Sequence, residues 1–594
     1  MRPLRCACAA GALALLGMAA AMAHAGACSA GLSNPVVTEN CSTDSSTWSN
    51  DWQVDRTKFV YDPSVLAGYV SRSSINRGGS LNFYIQSPQK TPGFTIDIYR
   101  LGYYGGMGGR LVQHIGGLTS AAQPPCRWEQ GGTANGYFSC NNWHRSYALK
   151  VPSDWTSGVY VAAIRSLQKP GGDSSTATQA YAHDVVFVVR DDARHAAFLY
   201  QQAVATEQAY NSYVYGPGLY DVQTITGNVV PVAKATFERP FDALDNLQFY
   251  RFELPFIFWL ERNGYDVAYT TDIDTHERAT PIAQSYRAFI LSGHSEYWSR
   301  PMYDAVQAAR DAGVHLGFFG GDTLYWQMRL EDETAQPGDG THNGHDRVMV
   351  VFRNRYPPLA NGLGDPNPDP ALQTIYWRDF PLMRDEQALV GVHFTHPVDC
   401  TEHVAAWAGG GTPAAAPSLR SMPQPLVVAS TASWVFDGTG LHQGDSVPHV
   451  YGQESDAFER HVAPMCGRGP ADPAARAPAY RKGTFAVFAS SPFDNVVWGP
   501  GLPVTQPTLA PVNSVVFQAC SGAWVFAAGD IMWGNALAPS FLLGQDYTSA
   551  PLQQLSANVL DVFAGRKSVP AGGACVLPYP AELLEPSLQL LLDH

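Results

Sequence analysis

The sequence predicts a multidomain chain: an antiparallel β-sandwich over residues 26–190, then an α/β domain over residues 191–567 with long loop insertions. Three observations predict it. The 594 residues exceed what one hydrophobic core normally organises. From Val36 to Arg190 the chain reads as short segments of period-two alternation between Gly and Pro: LNFYIQS, FTIDIYRLGYY, SYALKVP, GVYVAAIRS and HDVVFVVRDD. After Asp191-Asp192 the texture changes to strands alternating with helical stretches, as in a parallel or mixed sheet with helices on its faces.

Residues 1–25 read as a secretory signal. Arg2 and Arg5 precede an apolar run from Ala9 to Ala21, and Ala23-His24-Ala25 supplies the small-x-small cleavage pattern. The expected location is secreted or periplasmic. No later stretch is apolar for the ~20 residues that a membrane helix needs, and Cys28 lacks the aliphatic residue of a lipid-anchor motif. Of ten cysteines, Cys6 and Cys8 belong to the signal. The others suit disulfides in an exported protein. Chain order favours Cys28–Cys41, Cys126–Cys140, Cys400–Cys466 and Cys520–Cys575, among the 105 pairings that eight cysteines allow. No CxxC pair offers a thiolate zinc site. The formal charge of −14, without a Lys/Arg cluster, argues against nucleic acid and anionic membrane as partners.

In the second domain the strand candidates are AAFLYQQ, DVAYTT, RAFILSG, VHLGFF, RVMVVFR, GTFAVFAS, NSVVFQAC and WVFAAGD. Phe252 to Leu260 reads as a buried helix ending at Asn263-Gly264, and Pro301 to Ala312 as a helix with Met302, Ala305, Val306 and Ala309 on one face. The strand Ala288–Gly293 leads into GHSEYWS, read as a loop; the strand Val314–Phe319 stops at Gly320-Gly321 and delivers Asp322 and Tyr325. Parallel strands joined by a helix leave both loops on the sheet edge where open α/β sheets bind ligands, so Tyr297 and Tyr325 are expected to face one pocket. Glu331 to Tyr480, rich in Gly, Pro and Asp, reads as insertions over that edge; residues 568–594 form an apolar tail.

These residues carry a resemblance. The second domain is similar to the N,N-dimethylformamidase β-subunit-like family, in the segments AVATEQAYNSYVYGPGLY, ERPF, WLERNGYDVAYTTDIDTH, GHSEYWS, FFGGDTLYWQMRLE, TIYWRDF, GQESD and GAWVFAAGDIMW. The likeness extends into the sandwich at SINRGGSLNFYI and IDIYRLGYYGGMGGRL. It implies a class I glutamine amidotransferase-like fold and an amidase with one iron held by two tyrosines and a glutamate. By motif these are Tyr297, Tyr325 and Glu454. The family's amidase also uses a separate small helical subunit; that, or a homo-oligomer, stays open for this chain. Where the family pattern is expected to read FFGxN, this chain has Asp322, an added ligand, a base or a changed hydrogen bond.

Two phenolates and a carboxylate are hard oxygen donors carrying three negative charges, which matches mononuclear Fe3+. Such an ion polarises an amide carbonyl and lowers the pKa of water. Glu296 and Asp322 are then the candidates for proton transfer, and His294 for orienting a ligand or stabilising an oxyanion. Each residue has a plainer reading: Tyr297 and Tyr325, beside Trp298 and Trp326, as pocket wall; Glu454 as one acid among Asp456 and Glu459; His345-Asp346-Arg347 as a loop brace. GHSEY lacks the glycines of a nucleophile elbow, and His393, His396 and His449 lack zincin spacing. The expected function is cleavage of a small amide by an exported iron enzyme. The rivals are a non-catalytic carbohydrate- or peptide-binding protein, or hydrolysis of an ester or sugar derivative at the same metal.

Overall fold

The computed structural model describes residues 28, 31–53, 59–87, 93–119, 122–130, 136–166, 180–211, 213, 218–219, 222–225, 228–241, 248–277, 282–333, 342, 344–352, 364–379, 381–394, 424–452, 454–458, 478–491, 511–540 and 546–577. The signal at 1–25, Cys400, Cys466 and the end of the tail from 578 lie outside them.

The first part is a pair of antiparallel sheets. Its principal strands are β1 (Ala67–Val70), β2 (Ser80–Gln86), β3 (Phe94–Leu101), β4 (Gly109–Leu118), β5 (Tyr147–Lys150), β6 (Gly158–Ser166) and β7 (Ala180–Arg190). One sheet runs β4-β3-β6-β7 and the other β5-β2-β1. Between them lie Phe83, Ile85, Ile96, Ile98, Tyr160, Ile164 and Phe187, the alternation expected of strands facing one core. The opposite face of the larger sheet is apolar too. Tyr99, Leu101, Val159, Val161 and Val188 join a second core with residues of the α/β part, so these strands are covered on both sides. Residues 35–42 depart from the expected strand texture. Pro35–Ser42 is a helix, because Asn34 accepts from Val37 N at 3.0 Å and proline stands in the first turn.

The second part contains β8 (Phe198–Gln202), α1 (Val204–Ala209), β9 (Lys234–Thr236), α2 (Leu254–Arg262), β10 (Val267–Thr271), α3 (Asp272–Glu277), β11 (Ala288–His294), β12 (Tyr297–Ser299), α4 (Arg300–Asp311), β13 (His315–Gly321), β14 (Trp326–Glu331), β15 (Val348–Val350), β16 (Ala486–Ser491), β17 (Val512–Gln518), β18 (Trp524–Ala527) and α5 (Ala550–Phe563). A seven-stranded sheet runs β10-β8-β11-β13-β18-β17-β16. Its first five strands are parallel, β17 runs antiparallel to β18, and β16 runs antiparallel to β17. Neighbouring side chains on a strand go to opposite layers. Ile290, Phe319 and Phe526 pack with α2 and α5, whereas Leu291, Phe318 and Val525 pack with Met302, Val306 and Ala309 of α4. Ser299 caps α4, accepting from Met302 N, with proline in the first turn.

Two expectations change. GHSEYWS is not loop throughout, because Tyr297–Ser299 pairs in parallel with Trp326–Met328. RVMVVFR does not join the main sheet; β15 sits between β9 and β14 in a separate four-stranded sheet with β12. Period and composition reveal a strand but not which sheet takes it.

The two parts share a buried ion pair. Arg100 of β3 donates from both terminal nitrogens to Glu261 of α2, at 3.0 and 2.8 Å, and both side chains are fully buried. Glu261 also accepts from Asn40 Nδ2 and Tyr269 OH. Disulfides join Cys28 to Cys41, Cys126 to Cys140 and Cys520 to Cys575. Such bonds persist in oxidising compartments. Among the described residues no helix is long and apolar enough to cross a membrane.

Candidate active site

Three glycines set the geometry where β11 and β13 end. Gly293 has φ 74°, and a Cβ there would stand 3.0 Å from Phe252 Cβ. A Cβ on Gly320 would come within 2.1 Å of Gly293 O, and one on Gly321 within 2.7 Å of Asp530 Cα. Only glycine permits these approaches. The chain then turns through Asp322 and Leu324, both left-handed at φ 45° and 66°. The cost of those conformations is offset by fixed partners. Asp322 N donates to Asp456 Oδ1 at 2.9 Å, Leu324 N to Ser295 O at 2.9 Å and Tyr325 N to Glu296 O at 2.9 Å, so the loops after the two strands are tied together.

A third loop, 452–456, is held by buried Asp530. That carboxylate accepts from Gly452 N at 2.8 Å and from the Ser455 hydroxyl, and Asp456 N donates to Gly529 O at 2.8 Å. The loop carries Glu454 to the cluster.

There the structure brings together four of the six residues singled out in the sequence. His294 Nε2 lies 3.0 Å from Glu454 Oε2, 3.3 Å from Glu296 Oε2 and 3.3 Å from Asp322 Oδ2. Ligand atoms of His294, Asp322 and Glu454 all fall within 4.8 Å of one another. His294 Nδ1 is 3.0 Å from Gln248 Oε1, Tyr210 OH donates to Glu296 Oε2 at 2.8 Å, and Thr206 Oγ1 accepts from Glu296 N at 2.9 Å. His294, Glu296 and Asp322 are buried; the Glu454 side chain keeps 31% exposure and is the member that meets solvent.

Burial by itself would depress the His294 imidazole, but the charge of Glu454 and the hydrogen bonds of Asp322 and Glu296 outweigh it and hold its pKa well above the usual histidine range. Burial, with Glu296 adding to it, pushes Asp322 well above the ordinary carboxyl value. Burial raises Glu454 as well. Asp322 Oδ1 is buried with no hydrogen-bond partner among the described residues. Three carboxylates around one imidazole, with an acceptor oxygen unused, form a site short of positive charge. It can store and pass protons, or hold a hard cation.

Tyr297 and Tyr325 are buried at 1% and 4% exposure in one apolar cluster with Leu291, Trp298 and Trp326. The Tyr325 ring meets Tyr376 at 4.5 Å, Phe394 at 4.9 Å and the Arg378 guanidinium at 5.5 Å. Burial and Tyr376 push the Tyr325 phenol well above its usual value, against the lowering effect of the Arg378 guanidinium. Thr206, Tyr210, Gln248, Tyr376 and Asp456 received no role in the sequence. Four lie in segments that carried the resemblance, AVATEQAY, TIYWRDF and GQESD, and that was their only signal; Gln248 had none.

Residues 95–549 match the family described as N,N-dimethylformamidase beta subunit-like, C-terminal. No curated protein matches the chain. Among solved structures, a family 123 glycoside hydrolase from Clostridium perfringens, described in work on glycolipid glycan hydrolysis, is similar at 11% identity over 23% of this chain and 27% of its own. Its TM-score of 0.08 carries no argument.

Proposed function

Because the chain belongs to the N,N-dimethylformamidase beta subunit-like family, we propose that it is an exported hydrolase cleaving the C–N bond of a small amide with a mononuclear iron. The observation that carries this reading is His294 Nε2 within 3.3 Å of Glu296 and Asp322, which follow parallel strands, and of Glu454 on a third loop. Five parallel strands with helices on both faces also support a glutamine amidotransferase-like placement of the second part, with a domain boundary near residue 190. Three disulfides support export. The family description names a beta subunit, and a separate small subunit belongs to the proposal.

Two features support an ion at this place. Glu454 faces solvent, Asp322 Oδ1 lacks a partner, and oxygen donors suit a hard cation. In this reading Tyr297, Tyr325 and Glu454 would hold Fe3+, which would supply Lewis acidity toward an amide carbonyl. Glu296, oriented by Tyr210, takes the proton of the attacking water. Asp322, whose carboxyl burial raises above its ordinary value, is the proton donor to the departing amine nitrogen. His294 touches both carboxylates and returns the proton from Glu296 to Asp322 for the next turnover. The products are a carboxylic acid and an amine.

Metal stripping and readdition, with formamide, acetamide and N,N-dimethylformamide as substrates, tests the reading. Turnover is expected only with iron restored, and Glu296→Gln is expected to slow it at least 100-fold. A metal-free protein that hydrolyses amides at full rate, or an iron-loaded one that hydrolyses none, sinks it; the latter leaves the binding-protein reading.

A further inference from the structure

A second group of metal-ligating side chains lies apart from the first. His276, in the last turn of α3, and His345, in the segment before β15, both direct Nε2 at one carboxylate oxygen, Asp346 Oδ2, at 3.7 and 3.2 Å. With ligand bonds of about 2.0–2.1 Å, neighbouring donors of a tetrahedral ion stand about 3.3 Å apart. The His345 separation matches that length and the His276 separation is about 0.4 Å longer; ligand atoms of Asp332, His345 and Asp346 all fall within 4.8 Å of one another.

The far side of each ring is occupied in the way metal-bound histidines require. His276 Nδ1 is 2.7 Å from Ser299 Oγ, and His345 Nδ1 is 2.9 Å from Asp332 Oδ1. When Nδ1–H donates to a hydroxyl or carboxylate, the tautomer is fixed and the Nε2 lone pair is left for an ion. Asp332 Oδ1 also accepts from Asp346 N at 3.0 Å, which ties the orienting acid to the ligating one. Asp346 and His276 side chains are 11% and 18% exposed, whereas His345 is 62% exposed, so an ion has a way in and water has room to complete its shell.

We propose that His276, His345 and Asp346 form a second metal site, taking a divalent transition ion such as Zn2+, with Asp332 and Ser299 orienting the imidazoles. Two nitrogens and one oxygen distinguish it from the oxygen-rich first site. Its ion would tie the segment before β15 to α3 and to Ser299, two residues beyond Tyr297. The plainer reading is a protonated His345 held between Asp332 and Asp346.

Cobalt(II) titration of the full-length purified protein separates the two readings. The proposal expects one equivalent with the intense visible bands of four-coordinate cobalt, displaced by zinc. His345→Ala, at an exposed position, is expected to weaken that binding at least tenfold, and His276→Ala likewise. Glu454→Gln, at the first site, is expected to keep the bands, so failure of the amidase reading leaves this test intact. No such equivalent, or one retained unchanged in His345→Ala, overturns the second site.

Discussion

His294 Nε2 lies 3.0 Å from Glu454 Oε2, a contact between a parallel strand end and a loop that arrives from far along the chain. The loop is positioned by Asp530 and by the Asp456–Asp322 bond, so backbone hydrogen bonds hold the acids together against their own repulsion. Such crowding trades stability for function.

Glu454→Gln therefore separates the two. Amide turnover is expected to fall on the order of 100-fold or more with loss of bound iron, while the melting temperature holds or rises because one crowded charge is gone. Calorimetry beside metal analysis checks this. A variant that melts lower but retains turnover contradicts the assignment.

Arg100 and Glu261 form a buried pair at the junction of the sandwich with α2. Removing one partner strands the other charge, so Arg100→Met is expected to cost about 3–5 kcal/mol in urea unfolding. Arg100→Met combined with Glu261→Gln is expected to recover part of that loss. A cost below about 1 kcal/mol for the single variant would remove the pair from the stabilising contacts.

Asp272 gives a pH dependence. Its oxygens accept from Ala205 N at 2.7 Å and Ile273 N at 2.8 Å, but burial dominates and raises its pKa from 3.8 to about 7. Below the lower value folded and unfolded chains both hold the proton; between the two values only the folded chain does. Stability from this group is thus full in acid and declines by about 1.4 kcal/mol per pH unit as pH rises toward 7, then levels off. Comparing unfolding of wild type and Asp272→Asn across that window isolates the term. Parallel curves would contradict it.

Much of the fold was legible because its signals are local. The i, i+3, i+4, i+7 run at Met302, Ala305, Val306 and Ala309, and the glycine stops at Gly293 and Gly320-Gly321, follow from helix periodicity and backbone sterics. Glu454 reached the candidate set through the resemblance, since its meeting with His294 depends on a tertiary loop path that no spacing encodes. Gln248 and Tyr210 stayed silent for the same reason. The helix at Pro35 is masked in the sequence because apolar Val36 and Val37 share the texture of the strands that follow, although Asn34-Pro35 is a capping pair.

The most direct test of the iron assignment is the visible absorption spectrum of the aerobically purified protein, read with its metal content. The account predicts one iron per chain and a phenolate-to-iron charge-transfer band that Tyr325→Phe bleaches. A colourless protein from iron-rich medium, or a band that survives Tyr325→Phe and Tyr297→Phe unchanged, would contradict it.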